Sequence, residues 1–258
     1  MNKNLLNIGI LSAMPEEVGF ALDNLENIKE RQYGDLKIYN GNLKNEDFGK
    51  SLNVYLAWSG WGKVSSARAT IRVIAAIMEI TKQKPDLMFF SGVAGAINRD
   101  LRKWDVVIAD SVVQHDMDAT PIYPRFVIPA INDMRIHADH NITKKVLNFL
   151  LDEKIKNRLN DFGQVRKGLI ASGDMFISSK QKINQLRGDF HELMCVEMEG
   201  ASFAQVCFQE QIKWMIIRVI SDNADDSASD EFEEFLKIYN SKSWELIKKI
   251  LSRTKYFL

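Results

Sequence analysis

Trp214-Met215-Ile216-Ile217-Arg218-Val219-Ile220-Ser221-Asp222 is the stretch whose reading decides the fold. Its apolar run is rich in β-branched side chains and too short to cross a membrane, so it reads as a buried strand. In open α/β sheets ligands bind at the C-terminal edge of the strands, and that edge delivers Asp222, with Asn223-Ala224-Asp225 behind it, into a crevice. A second acidic motif, Val196-Glu197-Met198-Glu199-Gly200, precedes it in the chain. Together the two suggest carbohydrate or nucleoside chemistry.

Outward from this strand the pattern alternates. Leu5 to Ser12 reads as a buried strand, with Pro15 opening a helix and Glu16 and Glu17 in its first turn. Leu36 to Leu43 and Leu52 to Ala57 read as a meander. Gly60-Trp61-Gly62-Lys63 then opens a long helix through Met78, and Asp86 to Phe90 is a buried strand ending in a small-residue turn, Ser91 to Ala96. Asp105 to Val113 and Lys167 to Ala171 read as strands, and Thr120 to Pro129 as an irregular segment. Helices are expected at Ile142 to Leu159, Ser179 to Arg187 and Glu199 to Gln209, with a short strand into Cys195-Val196 and a final amphipathic helix from Ser229. Strands alternating with helices predict an α/β fold, a three-layer α/β/α sandwich around a mixed sheet.

The 258 residues, 46% of them hydrophobic, carry no linker or low-complexity tract and read as one domain, 1–258. Basic and acidic side chains balance at 34 each, which favours a small-molecule partner over nucleic acid or a membrane surface. Cys195 and Cys207 lack metal-ligand spacing and read as reduced thiols of a cytoplasmic protein. Leu5 to Ala13 is no signal peptide, since no cleavage-type site follows and Glu16-Glu17 come at once.

Several motifs fail on inspection. Gly60-x-Gly62-Lys63 lacks the upstream glycine and the Ser/Thr of a phosphate loop. Gly92 and Gly95 make an incomplete dinucleotide fingerprint, and serve either close backbone approach to a ligand or a plain turn. His137 and His140 could share a helical face but have no further ligands, so no metal and no cofactor are expected. His115-Asp116-Met117-Asp118 reads as structural, and the acidic tract from Asp225 to Glu234 as a solvated helix start, without the glycine of a calcium loop. Placed on a helix, Glu197 and Glu199 would point about 200° apart and could not both address one site. What raises the acids above surface solvation is that Glu17, Glu199 and Asp222 each follow a predicted strand, so three distant segments converge.

Gly9-Ile10-Leu11-Ser12-Ala13-Met14-Pro15-Glu16-Glu17-Val18, Ser59 to Val64, Ser172-Gly173-Asp174-Met175-Phe176-Ile177, Val196 to Glu199 and Ser221 to Asp225 occur in an order that resembles the 5'-methylthioadenosine/S-adenosylhomocysteine nucleosidases, from about residue 7 to residue 236. The resemblance implies a nucleoside phosphorylase-like fold, a homodimer and irreversible hydrolysis of the bond from adenine to ribose. It implies that Asp222 meets adenine N7, that Glu17 activates water with Arg218 nearby, and that Glu199 and Met198 hold the ribose hydroxyls. Phe176 would stack on adenine and the Ile177 backbone read its edge, with Met14 also at the site. Cleaving an N-glycosidic bond needs an acid at the base and a carboxylate at the water, which suits this division.

Three positions depart from the family pattern. Val93 stands for a serine near the water, Trp61 for a smaller aliphatic residue, and Trp104 for a glycine before Asp105. Pro121 to Pro129 aligns poorly with the stretch that relatives lend to the partner's pocket, where Pro129 is the best match; Tyr123 and Phe126 in this segment read as exposed and point to a dimer face. The rivals are a phosphorylase on the same fold, disfavoured because Glu16 and Glu17 stand where phosphate would need a cation, cleavage of 6-amino-6-deoxyfutalosine, and a non-catalytic nucleoside-binding or adhesion protein.

Overall fold

A computed structural model describes residues 5–45, 50–224 and 228–258. Ten strands form one mixed sheet. β1 (Asn7–Ser12) is buried on both faces and runs parallel to β4 (Lys50–Trp58) on one side and β5 (Leu87–Ala96) on the other. β3 (Leu36–Asn45) and β2 (Glu26–Tyr33) continue antiparallel beyond β4. On the far side β10 (Trp214–Asp222) lies parallel to β5 and antiparallel to β6 (Val106–Gln114), followed by β8 (Val165–Ser172) and β9 (Leu193–Glu197). β9 returns to pair antiparallel with the end of β5, so β5, β10, β6, β8 and β9 close on themselves. The short β7 (Arg135–His137) pairs with β6.

Side chains alternate across this sheet and build a core on each face. Ile8, Ile10 and Phe89 join the core that takes Val146 and Leu150 of α2 (His140–Ile155) and Tyr239, Ile247 and Leu251 of α5 (Ala228–Ser252). Leu11, Met88 and Phe90 join the opposite core, with Val73 and Ile77 of α1 (Lys63–Thr81) and Phe203 and Cys207 of α4 (Gly200–Gln209). Helices therefore cover both faces, and the α/β/α sandwich expected from the sequence is the observed architecture. α3 (Lys180–Asp189) packs Ile183 and Leu186 into a smaller cluster, and α6 (Thr254–Phe257) ends the chain.

Four local readings are corrected. The segment Ser91 to Ala96 is no turn but the second half of β5, because β10 hydrogen-bonds alongside it through Gly95. Its glycines serve close approach. A Cβ on Gly92 would lie 2.0 Å from Arg218 Nη1 and 2.5 Å from Glu17 Oε1, and one on Gly95 would lie 2.8 Å from Ala224 Cβ. Pro15–Glu17 forms a 3₁₀ turn, followed by a second 3₁₀ segment at Gly19–Asn24, instead of one continuous helix. β2 has no counterpart in the sequence pattern: nearly all its residues are exposed, so it shows no apolar alternation, and its charged Lys29, Glu30 and Arg31 suit an open sheet edge. Tyr123 and Phe126 are half-buried, with the Phe126 ring 4.6 Å from that of Phe190 and tilted 51° to it, whereas Ile122 is 84% exposed. Asp225, in the last of the acidic motifs, and the start of the acidic tract behind it lie outside the described residues.

Trp104 sits at φ +73°, in the left-handed region that favours glycine. It is held there by its own amide donating to Ile220 O at 2.9 Å, by Gly163 N donating to its carbonyl at 2.8 Å, and by its ring, 4.3 Å from that of Phe235. Relief of the backbone strain is worth about 1–2 kcal/mol, while a fully buried aromatic side chain contributes about 3–5 kcal/mol and Trp104 is only half-buried. Trp104→Gly should therefore lower stability by about 1 kcal/mol, seen as a lower denaturant midpoint at constant slope; a midpoint equal to or above that of the parent would show that strain, not packing, dominates there.

Candidate active site

The site exists because β5 changes neighbours. It pairs with β1 only as far as Phe90 and with β9 only from Gly95, so Ser91 to Ala94 have no strand partner on that side. Backbone donors left unpaired in a buried place must find an acceptor. Glu17, carried into the gap by the 3₁₀ turn after β1, supplies it: Oε1 accepts from Val93 N at 3.0 Å, and Oε2 from Ala13 N at 2.7 Å and Met14 N at 3.1 Å. Burial pushes the pKa of Glu17 up, against the opposing pull of Arg218 and these three amides.

Arg218 rises from the middle of β10 beneath this carboxylate and is wholly buried. Its Nη2 donates to Glu197 Oε2, and it lies 3.7 Å from Glu199 Oε2 and 3.9 Å from Glu17 Oε1, with its guanidinium 4.7 Å from the Phe90 ring centroid. Burial disfavours its charge, but Glu197, Glu17 and Glu199 outweigh that and raise its pKa. Glu197 is saturated otherwise: it accepts from the Ser172 hydroxyl and, through Oε2, from Glu199 N at 3.1 Å and Gly200 N at 2.7 Å. Glu199 caps the start of α4 and accepts from Gly62 N at 2.8 Å. Burial first, then the neighbouring Glu197, pushes its pKa up to about 8.

The expectation that Glu197 and Glu199 diverge fails, because they flank the junction of β9 and α4 instead of lying on one helix, and both reach Arg218. At the far end of the crevice Asp222 closes β10, nearly buried, with Oδ2 accepting from the Ser221 hydroxyl at 2.6 Å and Oδ1 from Ala224 N at 2.7 Å. The outer wall is aromatic. Phe176 meets Phe232 edge-on at 5.8 Å, and Phe232 meets Trp61 edge-on at 6.1 Å.

A cavity of about 550 Å³ joins these parts. Of the residues singled out from sequence, Met14, Glu17, Trp61, Val93, Phe176, Ile177, Met198, Glu199 and Asp222 line it. Arg218 lies behind the carboxylates and does not face the cavity, and Pro129 is an exposed residue of the irregular segment, outside the lining. Ala13, Ala94, Gly95, Met175, Val196, Glu197, Ser221 and Phe232 also line it. Phe232 has no sequence signal of its own, being one more apolar residue of an amphipathic helix.

Two of the lining segments are tied together outside the cavity. Asp116 Oδ1 accepts from Lys63 Nζ at 2.6 Å and its Oδ2 from Asp174 N at 2.9 Å, while Asp174 Oδ1 accepts from Lys63 N at 2.7 Å. That latch joins the loop of Phe176 to the loop of Trp61 and Gly62, and gives His115-Asp116 a structural use. His115 itself is buried against Gly173, and burial lowers its pKa.

Flat rings at a rim and acids on a dry floor define a pocket that handles nucleosides. The chain belongs to the phosphorylase superfamily, whose family model matches residues 7–252, and within it to the 5'-methylthioadenosine/S-adenosylhomocysteine nucleosidases. It is 32% identical to that nucleosidase of Haemophilus influenzae (strain PittEE) over 96% of this chain and 100% of the relative. The nucleosidase of Neisseria meningitidis, solved in complex with methylthio-immucillin-A, superposes with a TM-score of 0.81 at 32% identity, covering 96% of this chain and 99% of that one. Futalosine hydrolase of Helicobacter pylori strain 26695 superposes with a TM-score of 0.82 at 30% identity, covering 96% and 97%.

The raised pKa of Glu199 makes stability depend on pH with a definite sign. Unfolded, the carboxyl loses its proton near its ordinary 4.5; folded, it keeps it to about 8. Between these values the folded state binds more protons, so stability falls as pH rises. The melting temperature of the ligand-free protein should decline from pH 5 to pH 8, and Glu199→Gln should flatten that decline; equal slopes in both proteins would show that Glu199 ionises normally.

Proposed function

We propose that this pocket cleaves the N-glycosidic bond of 5'-methylthioadenosine and S-adenosylhomocysteine with Asp222 at the base and Glu17 at the water. The chain is an N-glycosyl hydrolase of that nucleosidase family, releasing adenine and the 5-thio-substituted ribose. As the C1'–N9 bond breaks, its electron pair passes to the purine and positive charge builds on the sugar. Asp222 protonates or hydrogen-bonds N7 and makes the purine a better leaving group. Water attacks C1' and gives its proton to Glu17, whose burial brings its pKa up toward the working pH, as a general base requires. Glu199 and Met198 hold the ribose hydroxyls, Phe176 stacks on adenine, and the backbone of Ile177 reads the adenine edge. Val93 lends its amide to Glu17 and closes the water side with an apolar wall.

One observation carries the hydrolytic reading: among the described residues every charged side chain lining the cavity is a carboxylate, and Arg218 is buried behind them with Glu197 bound to it. A phosphate dianion would meet like charge in a poorly hydrated place, where such repulsion is several-fold larger than in bulk water. Water is the nucleophile instead. Cleavage of 6-amino-6-deoxyfutalosine by the same groups is the second reading, favoured by the similarity to the Helicobacter pylori futalosine hydrolase.

The chain is further read as one nucleosidase domain of the cytoplasm, acting as a homodimer, with Pro129 of the Thr120 to Pro129 segment meeting the partner's pocket. Among the described residues no helix is long and apolar enough to cross a membrane. Ile122, 84% exposed, and Val64, 81% exposed, are apolar surface that self-association would cover. Sedimentation at micromolar concentration should give a dimer; a fully active monomer would exclude the shared pocket.

Adenine release from 5'-methylthioadenosine should proceed in phosphate-free buffer, give the free sugar, and gain nothing from added phosphate. Asp222→Asn should lower kcat roughly 10²-fold or more, the scale of general acid catalysis, and Glu17→Gln should remove most turnover while adenine still binds. A ribose 1-phosphate product would make the phosphorylase reading the right one, and near-parental kcat in folded Asp222→Asn would remove Asp222 from the mechanism.

A further inference from the structure

We propose that Asp116, which lies outside the cavity, is a positioning residue of the hydrolysis: through Lys63 and Asp174 it sets the adenine-binding loop and the seat of Glu199 in one register, and so governs how tightly the nucleoside is held. The inference rests on the nucleosidase reading and adds to it a residue that acts without touching the substrate.

The loop after β8 carries both groups assigned to adenine, the Phe176 ring and the Ile177 backbone, and has little of its own to hold them. From Met175 to Ser178 it makes no hydrogen bond to another described residue, and of these four only Ile177 is buried. Their position is inherited from the residues just before. Gly173 lies directly on the His115 ring, where a Cβ would meet Cε1 at 2.3 Å and Nε2 at 2.4 Å, and the His115 amide donates to Ser172 O at 2.9 Å. Asp174 is then fixed twice, its amide donating to Asp116 Oδ2 at 2.9 Å and its Oδ1 accepting from Lys63 N at 2.7 Å. Binding groups need supporting hydrogen bonds of this kind, because a displacement of about 1 Å is enough to spoil a site.

The same contacts reach the ribose acid. Gly62 and Lys63 open α1, and their consecutive amides face carboxylates on opposite walls of the crevice: Lys63 N donates to Asp174, and Gly62 N donates to Glu199 Oε1 at 2.8 Å. The unpaired amides at a helix start favour such acceptors. The Lys63 side chain is in turn held by Asp116, with Nζ donating to Asp116 Oδ1 at 2.6 Å and to Gln114 Oε1 at 3.2 Å. One carboxylate thus grips the backbone of the adenine loop with one oxygen and the residue between the two walls with the other. The ion pair is sheltered, its side chains 18% exposed at Lys63 and 31% at Asp116. Burial resists the charge of Asp116, but the bonds from Lys63 and from Asp174 N outweigh it and hold its pKa below the ordinary carboxylate value. Charge-assisted bonds in partial shelter are stronger than those of a solvated surface pair.

The test is steady-state kinetics with 5'-methylthioadenosine, together with inhibition of that reaction by free adenine, for the parent, Asp116→Ala, Asp116→Asn, Lys63→Met and the double variant that joins Asp116→Ala to Lys63→Met. Asp116→Ala should raise KM and the adenine inhibition constant together by about tenfold, the scale of one lost charge-assisted hydrogen bond. Its kcat should stay within about threefold of the parent, as when binding common to ground state and transition state is lost. Asp116→Asn keeps an acceptor for Asp174 N and should recover part of the loss. The double variant should lose little more than the worse of its two components, since both cut one path. In Asp116→Ala, KM and adenine inhibition within about twofold of the parent, or a loss confined to kcat, would overturn the positioning role while leaving the nucleosidase intact, and so would losses that multiply in the double variant. If Asp116→Ala does not fold, the same readings on Asp116→Asn and Lys63→Met decide the matter. No adenine released from 5'-methylthioadenosine by the parent would instead overturn the nucleosidase reading beneath it.

Discussion

A single buried guanidinium organises this protein. Arg218 has no access to solvent and three carboxylates around it, Glu17, Glu197 and Glu199, brought from the turn after β1 and the junction of β9 and α4. Charges this deep are tolerable only when paired, and removing one partner of such a set costs about 3–5 kcal/mol. The cluster is over-supplied with negative charge, one cation for three acids. Burial first, and then that excess through Glu197, leaves Glu199 holding its proton to about 8, while burial raises Glu17. The folding requirement and the chemical requirement meet in one place: the arginine keeps the acids in position, and their burial keeps them basic.

The geometry that makes room for the cluster is a strand that changes partners. If β1 and β9 paired with β5 along its full length, the amide of Val93 would be satisfied within the sheet and no carboxylate could enter. Because pairing lapses at Ser91 to Ala94, the amide takes Glu17 instead. Gly92 is the necessary companion, since Arg218 Nη1 and Glu17 Oε1 fill the space that any side chain there would need. The site is therefore a fault line in the sheet, kept open by hydrogen bonds that the sheet declines to make.

Much of this was legible in the sequence, and the failures have physical causes. Strands buried on both faces, such as Trp214–Asp222 and Asn7–Ser12, announce themselves as unbroken apolar runs. β2 does not, because an exposed edge strand has no face to bury. Ser91 to Ala96 reads as a turn because its glycines and alanines are there for side chains arriving from β10 and the 3₁₀ turn, a requirement invisible from β5 alone. Glu197 and Glu199 were misjudged by imposing one helix on both, where the backbone switches from strand to helix between them. The position of Arg218 behind the acids, and of Phe232 over the cavity, depends on contacts between segments far apart in the chain. Trp104 shows the reverse: a tryptophan in a glycine's conformation is comprehensible only once its aromatic neighbours on α5 are seen.

An adenine nucleotide carries at its 5' end a charge that a thio-nucleoside with an uncharged 5' group lacks, and an enzyme that destroys the glycosidic bond of the one must be able to spare the other. The wall of carboxylates does this without any dedicated device. Among the described residues no cation lines the cavity to receive a 5'-phosphate, so electrostatics would disfavour a nucleotide there before shape is consulted. The same carboxylates that serve the reaction would thus also act as a filter against phosphorylated adenine.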